Sequence, residues 1–242
     1  MMLTEEQEQI RDAVRDFAQE RLAPGAAARD RAHEFPRAEL TEMGELGFLG
    51  MLVPEEHGGS ETGTVAYALA LEEIAAADGA CSTIMSVHSS VGCVPILRFG
   101  TEEQKARFLP RMASGEWIGG FALTEPQAGS DAAALRTRAR KVGDTYVLNG
   151  TKAFISGGGY SGTYVVMCRT AGEGARGISA VVVEDGTAGL SYGGLEDKMG
   201  WRSQPTRQVQ FDDCLVPADN LIGEEGSGFR YAMKGLDGGR LN

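Results

Sequence analysis

Apolar residues in the first half of the chain recur three or four positions apart, which is typical of helices that pack through one face. Thr4 and Gln7 have the spacing of a capping box, so a helix is predicted from there to Leu22. Thr101 and Gln104 repeat this spacing and predict the start of another helix. Between them, further helices are predicted over residues 37–46, 65–77 and 82–99.

From about residue 118 the pattern changes to short runs of β-branched and aromatic residues that are separated by glycines. Asn149-Gly150 stands between two such runs and is the strongest short-range signal for a two-residue hairpin. Further strands are predicted over residues 164–168, 178–183 and 208–211. Short strands at a spacing of roughly ten residues favour an antiparallel barrel or sandwich.

We therefore predict an α+β chain of more than one domain. Residues 1–117 form an N-terminal all-α domain, residues 118–224 form an antiparallel, barrel-like β domain, and residues 225–242 form the first helix of a C-terminal helical domain. The composition changes at the same place. Residues 1–117 carry 20 acidic residues, 10 basic residues and 11 glycines, whereas the remainder carries 14, 13 and 23.

The chain has 242 residues and a net charge of −11, so nucleic acid is not expected as a partner, because a polyanion would be repelled. No membrane partner is expected either, since no apolar run is found that approaches the ~20 residues of a transmembrane helix. The acidic N-terminus lacks the features of a signal or transit peptide, which favours a cytoplasmic location. Four widely spaced cysteines without a C-x-x-C motif favour free thiols: Cys81, Cys93, Cys168 and Cys214.

Two glycine motifs match the dinucleotide fingerprint G-x-G-x-x-G, over residues 157–162 and 172–177. That fingerprint requires a helix immediately afterwards, but strands are predicted at both places, so we expect no Rossmann site. The three histidines, His33, His57 and His88, have no ligand spacing, and no metal site is predicted.

The run Phe121-Ala-Leu-Thr-Glu-Pro-Gln-Ala-Gly-Ser-Asp131 carries more chemical information. A strand is predicted to end at Thr124, where a Glu-Pro pair breaks it and a turn of small residues presents Ser130. Hydroxyls and exposed backbone N–H groups at such a place suit the polar edge or phosphate of a cofactor. An ordinary strand-terminal turn explains the composition equally well. Glu125 is expected to bind nearby backbone, as turn carboxylates usually do.

FALTEPQAGSDAA resembles the first signature of the acyl-CoA dehydrogenase family, and NGTKAFISGGG resembles its second flavin-contact segment. The resemblance continues through LEDKMGWRSQPT, FDDCLVPADNLIGEEGSGF and GLDGGRLN, and it covers essentially the whole chain in order. It implies an FAD-dependent enzyme that desaturates a short acyl-CoA. The resemblance is strongest to the branch that acts on short, branched acyl groups such as isobutyryl, with straight butyryl-CoA next.

The resemblance also implies roles for individual residues. One group would lie along FAD: Phe121, Leu123, Thr124, Gly129 and Ser130. A second group, Phe154, Ile155 and Ser156, would flank the flavin on its other side. Ser130, Asp237 and Arg240 would contact the acyl-CoA.

The catalytic base of most family members is a glutamate in the C-terminal helical domain, and a minority place it beside the arginine that matches Arg240. Glycines stand at those positions here, so no catalytic base is expected in this chain. Electron-transfer flavoprotein and a homotetramer are further implications of the resemblance. Three alternatives stay open: a non-catalytic module that binds acyl-CoA or flavin, an acyl-CoA oxidase, and a flavin monooxygenase.

Overall fold

The computed structural model describes residues 2–242. The helices are α1 (Glu5–Phe17), α2 (Ala23–Ala32), α3 (Arg37–Glu45), α4 (Gly63–Ala77), α5 (Gly79–Val87), α6 (Val94–Phe99), α7 (Glu102–Ala113) and α8 (Gly228–Leu241). Two π-helical turns, Ala18–Leu22 and His88–Cys93, join α1 to α2 and α5 to α6. An N-terminal helical region and a closing helix are therefore confirmed.

Both predicted capping boxes are present. The Thr4 hydroxyl accepts a hydrogen bond from the Gln7 amide at 3.2 Å, and the Thr101 hydroxyl accepts one from Gln104 at 3.3 Å. The first helical run was predicted to stop at Leu22, but it continues through the π turn into α2. A proline stands in the first turn of α2, directly after this π turn.

The helical core is apolar, but one charged cluster is buried inside it. The Arg29 guanidinium binds Glu39 at 2.6 Å, Asp78 at 2.9 Å and the Leu22 carbonyl at 2.8 Å. Asp78 is also the N-cap of α5, where its other oxygen accepts from the Ala80 amide at 2.9 Å. The cluster therefore joins α2, α3 and α5, because each of its members stands on or beside a different helix.

The run Gly79–Phe99 is long and apolar enough to cross a membrane, contrary to the expectation from sequence. However, 67% of its apolar window is buried against the rest of the protein. This is the environment of a core helix, and its apolar surface is explained by packing inside the fold.

The second half forms one eight-stranded sheet. The strands are β1 (Gly119–Ala122), β2 (Arg138–Val142), β3 (Thr145–Ser156), β4 (Thr163–Arg169), β5 (Ile178–Glu184), β6 (Leu190–Leu195), β7 (Thr206–Pro217) and β8 (Leu221–Ile222). Their order is β6-β7-β3-β2-β4-β5-β8, with β1 paired to β4 off this path.

The sheet is mixed, so the prediction of a purely antiparallel sheet needs a correction. Most pairs are antiparallel, but β1 and β2 both run parallel to β4. Parallel neighbours need a crossover connection, and the β2–β3 hairpin supplies it between β1 and β4. Both G-x-G-x-x-G runs lead into strands, β4 and β5, as predicted.

The predicted hairpin at Asn149-Gly150 is wrong, because β3 runs straight through both residues. The Asn149 side chain donates to Asp213 on β7 at 3.0 Å, so it serves as a cross-strand link rather than a turn. Gly150 lies at a break in the β3–β7 register, where a Cβ would collide with Thr137. Its glycine is therefore required by close packing.

All four cysteines are buried and unbonded to one another, as the sequence predicted. Within residues 2–242, no group of three or more His, Cys, Asp or Glu side chains is arranged to hold a metal ion.

Candidate functional site

A cavity of about 490 Å³ lies where the sheet meets the helices. We call it the sheet-edge cavity. All eight residues predicted to contact flavin line it: Phe121, Leu123, Thr124, Gly129, Ser130, Phe154, Ile155 and Ser156. Its volume falls within the range of small-molecule and cofactor sites. The structure thus brings together two sequence segments that lie some 30 positions apart.

These two segments are held side by side by the backbone. β1 ends at Ala122, and the chain continues into Thr124, whose carbonyl accepts a hydrogen bond from the Ala153 amide at 2.8 Å. We call Leu123–Thr124 the first wall of the cavity and Phe154–Ser156 the second wall. Because Ala153 directly precedes the second wall, this bond joins the two walls at their base.

Phe154 occupies an unusual backbone conformation. Its φ is +57°, in the left-handed region, and the β3–β7 register breaks between Lys152 and Ile155. The extra residue forms a bulge, which leaves the Phe154 ring 66% exposed while Ile155 stays buried. Bulges of this kind re-aim side chains near functional sites. The bulge is therefore what presents an aromatic ring at the cavity.

Glu125 follows the first wall and is buried, with its side chain 2% exposed. Its carboxylate accepts from the backbone amides of Arg136 at 2.6 Å and Thr137 at 2.9 Å, which lie 11 and 12 positions further along the chain and not in the local turn that the sequence predicted. Lys152 was not singled out in the sequence. Its ammonium, fully buried, binds Glu125 at 2.8 Å and the Leu123 carbonyl at 3.0 Å.

The electrostatics of this pair follow from its burial. Burial alone pushes the pKa of Glu125 upward, but the Lys152 charge and the hydrogen bonds outweigh it and lower that pKa to about 2. Burial lowers the pKa of Lys152, and the Glu125 charge opposes that effect. The burial of Lys152 could have been predicted from the alternation of side chains along β3, because Lys152 points to the same face of the strand as the buried Tyr146 and Leu148.

The helical side of the cavity comes from the run Gly79–Phe99 and from α8. Val87 is the last residue of α5 and Val91 lies within the π turn, and both line the cavity. His88, between them, accepts a hydrogen bond from the Gly119 amide through Nδ1 at 2.9 Å. Burial lowers the pKa of His88 to about 4, so this imidazole is neutral and structural. The bond ties the π turn to the first residue of β1.

The two residues predicted to contact acyl-CoA on α8 lie in different places. Arg240 lines the sheet-edge cavity, together with the apolar side chains of Phe229, Met233 and Leu236. Asp237 lines a separate groove of about 640 Å³. The structure therefore joins Arg240, but not Asp237, to the other predicted residues. The cavity-lining role of the two valines and of the apolar α8 side chains was not predicted, because apolar residues in helices are ordinary core residues.

The lining of the cavity fits a planar, polar cofactor with an anionic substrate beside it. Three hydroxyl side chains, those of Thr124, Ser130 and Ser156, offer hydrogen bonds, and three phenylalanines, two valines, two leucines, an isoleucine and a methionine offer apolar contact. Arg240 supplies a positive charge that suits phosphate. Among the lining residues that the structure describes, Asp131 is the single carboxylate, and it is exposed.

Comparison with known proteins agrees with this architecture. The model of the acyl-CoA dehydrogenase N-terminal domain matches residues 4–116, and that of the acyl-CoA dehydrogenase middle domain matches residues 120–214. The mitochondrial isobutyryl-CoA dehydrogenase of Dictyostelium discoideum is 49% identical over 242 residues, which cover 99% of this chain and 58% of the relative.

Two solved structures superpose closely. A chain of the electron transferring flavoprotein structure from Acidaminococcus fermentans, described in terms of flavin-based electron bifurcation, has a TM-score of 0.97 and 45% identity over 99% of this chain and 63% of its own. Butyryl-CoA dehydrogenase from Megasphaera elsdenii has a TM-score of 0.95 and 41% identity over 99% of this chain and 64% of its own. The chain thus spans about six tenths of the length of these relatives.

Proposed function

This chain belongs to the acyl-CoA dehydrogenase family, and from that premise we propose that it supplies the FAD-binding part of an enzyme that desaturates a short acyl-CoA. The observation that carries the proposal is the sheet-edge cavity, which gathers all eight predicted flavin residues and Arg240. The isobutyryl-CoA and butyryl-CoA dehydrogenases among the relatives support it.

We propose the following division of work at the cavity. The hydroxyls of Thr124 and Ser156, with the backbone around them, hold the polar edges of the flavin, while Phe154 covers its face. Ser130 lies in the connection between β1 and β2 and holds the pyrophosphate side and the thioester. FAD bound there supplies an acceptor for the hydride that leaves the β carbon.

The substrate is proposed to be a short acyl-CoA, isobutyryl-CoA first and butyryl-CoA second. Val91, Met233 and Leu236 give the acyl group an apolar surface, and Arg240 gives the CoA phosphates a charge partner. One methylene changes binding by only about 1–3 kcal/mol, so small changes in these side chains decide the chain length.

We propose that the α proton is removed by a carboxylate outside the described residues. Glu125 is committed to Lys152 and to two backbone amides, so its lone pairs face the interior and not a substrate. Asp131 is the remaining carboxylate of the described lining. An Asp131→Asn variant should therefore keep desaturase activity within about threefold of wild type, and a loss of about 100-fold or more would make Asp131 the base.

The main experiment is anaerobic titration of the enzyme that carries both this chain and the base, loaded with FAD, with isobutyryl-CoA and then with butyryl-CoA. We expect the absorbance of the oxidised flavin to bleach, and to bleach faster with isobutyryl-CoA. Retention of the oxidised spectrum with both thioesters would contradict the proposal. Propionyl-CoA and free isobutyrate serve as the chain-length and CoA controls.

The same titration separates the alternatives on this fold. A non-catalytic module would bind acyl-CoA without bleaching, and an oxidase or monooxygenase would form peroxide or consume oxygen when air is admitted.

We also propose electron-transfer flavoprotein as the electron acceptor, a homotetramer as the assembly and the cytoplasm as the location. The flavoprotein structure among the matches supports the first, and four buried free thiols fit a reducing compartment.

A further inference from the structure

One carboxylate, that of Glu125, is bonded to several of the segments that build the sheet-edge cavity. It accepts from Lys152 on β3 at 2.8 Å and from the amides of Arg136 at 2.6 Å and Thr137 at 2.9 Å. Lys152 in turn donates to the carbonyl of Leu123 in the first wall at 3.0 Å. Neither the Glu125 nor the Lys152 side chain is more than 2% exposed.

Such a pair needs a reason other than stability. Removing two charges from water is costly, and apolar residues of similar volume in the same place often give an equally stable or more stable protein. What a buried, fully bonded pair supplies is a defined geometry, because its hydrogen bonds are satisfied in one arrangement only.

The geometry in question is that of the cavity. The first wall stands immediately before Glu125, and the second wall begins two residues after Lys152. The loop that carries Gly129 and Ser130 follows Glu125 and ends at Arg136 and Thr137, directly before β2. The Glu125 carboxylate therefore joins the start of that loop to its end, and the two walls are joined through the ammonium group.

We propose that Glu125 and Lys152 are positioning residues, which fix the two walls and the intervening loop relative to one another and thereby preset the cavity for FAD. The inference rests on the proposed FAD site, and it assigns the binding geometry to a charge pair that does not line the cavity. A displacement of about 1 Å at a preorganised site is enough to cost roughly 100-fold in function.

The first test is hydrogen exchange on the purified protein without flavin. We compare wild type with Glu125→Gln, with Lys152→Met and with the double variant. We expect the amides of Ala153 and Thr137 to exchange at least about tenfold faster in each variant, because the charge pair no longer holds together the segments on which these amides lie. The double variant has no unpaired buried charge, so it remains testable if a single variant does not fold.

Two control variants separate this effect from general loosening. Glu73→Gln removes the carboxylate of the exposed Arg15 pair in the helical region, and it should change neither readout. Ile74→Val weakens the fully buried helical core without touching the cavity, and it should lower the unfolding midpoint with exchange at Ala153 and Thr137 unchanged relative to the rest of the sheet.

The second test is the FAD dissociation constant of the same proteins. We expect the double variant to recover the unfolding midpoint of wild type while its FAD dissociation constant stays at least about tenfold higher, since stability is restored and geometry is not. Unchanged exchange at the two amides would overturn the inference. So would faster exchange combined with unchanged FAD affinity.

Failure of the proposed function gives a different result. Wild type would then fail to bind FAD at all, while the variants would still show faster exchange at the cavity walls, and the geometric role of the pair would stand on that readout. The two failures are therefore distinguishable.

Discussion

The helical and sheet regions each enclose a buried ionic cluster, and the two clusters differ in what they join. Arg29, Glu39 and Asp78 connect three helices at a distance from the sheet-edge cavity, and Asp78 also caps a helix. Lys152 and Glu125 connect strand ends and a loop that build the cavity itself. The first cluster therefore supports a scaffold, whereas the second supports a site.

This difference shows that burial of charge alone does not identify functional residues. Apart from the partly exposed Glu39, both clusters are nearly inaccessible to solvent, and both contain more than one charge-assisted hydrogen bond. What separates them is the identity of the segments at the other end of each bond. Substitutions in the helical cluster should therefore change stability alone. Substitutions in the cluster of the sheet region should change both stability and flavin binding.

The largest effect is expected for Arg29→Met. It removes the positive charge that binds the buried Asp78 and the partly exposed Glu39, so the free energy of unfolding should fall by about 3–5 kcal/mol in denaturant titration. The FAD affinity of the folded fraction should not change. Arg15→Met, in an exposed pair with Glu73, is the control and should cost at most about 1 kcal/mol. Weaker flavin binding by Arg29→Met would break the comparison.

The next effect is the pH dependence that Glu125 confers. Its folded-state pKa of about 2 lies below the ordinary value of 4.5, so its contribution to stability is full above pH 4.5 and is lost as the pH falls through 2. That contribution is on the order of 3 kcal/mol. The stability difference between wild type and Glu125→Gln, from urea unfolding, should therefore shrink between pH 5 and pH 2. A constant difference would contradict this.

A smaller effect is expected for Thr124→Val in the first wall. The substitution removes one hydroxyl of the cavity and keeps the shape of the side chain, so FAD affinity should fall by about 1 kcal/mol, or roughly fivefold, in fluorescence titration. The unfolding midpoint of the flavin-free protein should stay within the error of the wild-type value. Thr187→Val, at a remote turn, is the matched control.

The smallest effect is expected for Phe154→Asn. Asparagine tolerates the left-handed conformation at φ +57° better than phenylalanine, and the ring is largely exposed, so the flavin-free protein should gain up to about 1 kcal/mol in stability. FAD affinity should fall at the same time, since the aromatic face is lost. A variant that is less stable than wild type would show that the Phe154 ring stabilises the flavin-free protein by packing.

The helices were predicted from signals between residues that are close together in sequence. The capping boxes at Thr4 and Thr101 are formed by residues within one turn, so their outcome depends little on the rest of the fold. The Asn149-Gly150 hairpin failed for the opposite reason. The pairing of β3 with β7 along twelve residues supplies more hydrogen bonds than a tight turn could, and it overrides the local preference.

The site divides in the same way. Its eight predicted lining residues stand in two continuous segments, and the structure places both at one cavity. The role of Lys152 was not predicted, because it depends on the ion pair with Glu125. The two residues are 27 positions apart in sequence and meet only when β1 and β3 lie side by side. Asp237 and Arg240 both stand in the segment that the resemblance assigns to acyl-CoA. The packing of α8 nevertheless places Arg240 at the sheet-edge cavity and Asp237 at a separate groove.

The π turn His88–Cys93 has a consequence for which changes the chain can tolerate. A π turn takes one residue more than the α-helical turn it replaces, so winding the same residues as an α-helix would rotate all of α6 by about 100° around the axis. Ile96, fully buried, would then turn away from the core. Deleting one residue within the turn would instead remove that extra residue and leave the phase of α6 unchanged, so a single deletion should be accepted better here than within α5 or α6.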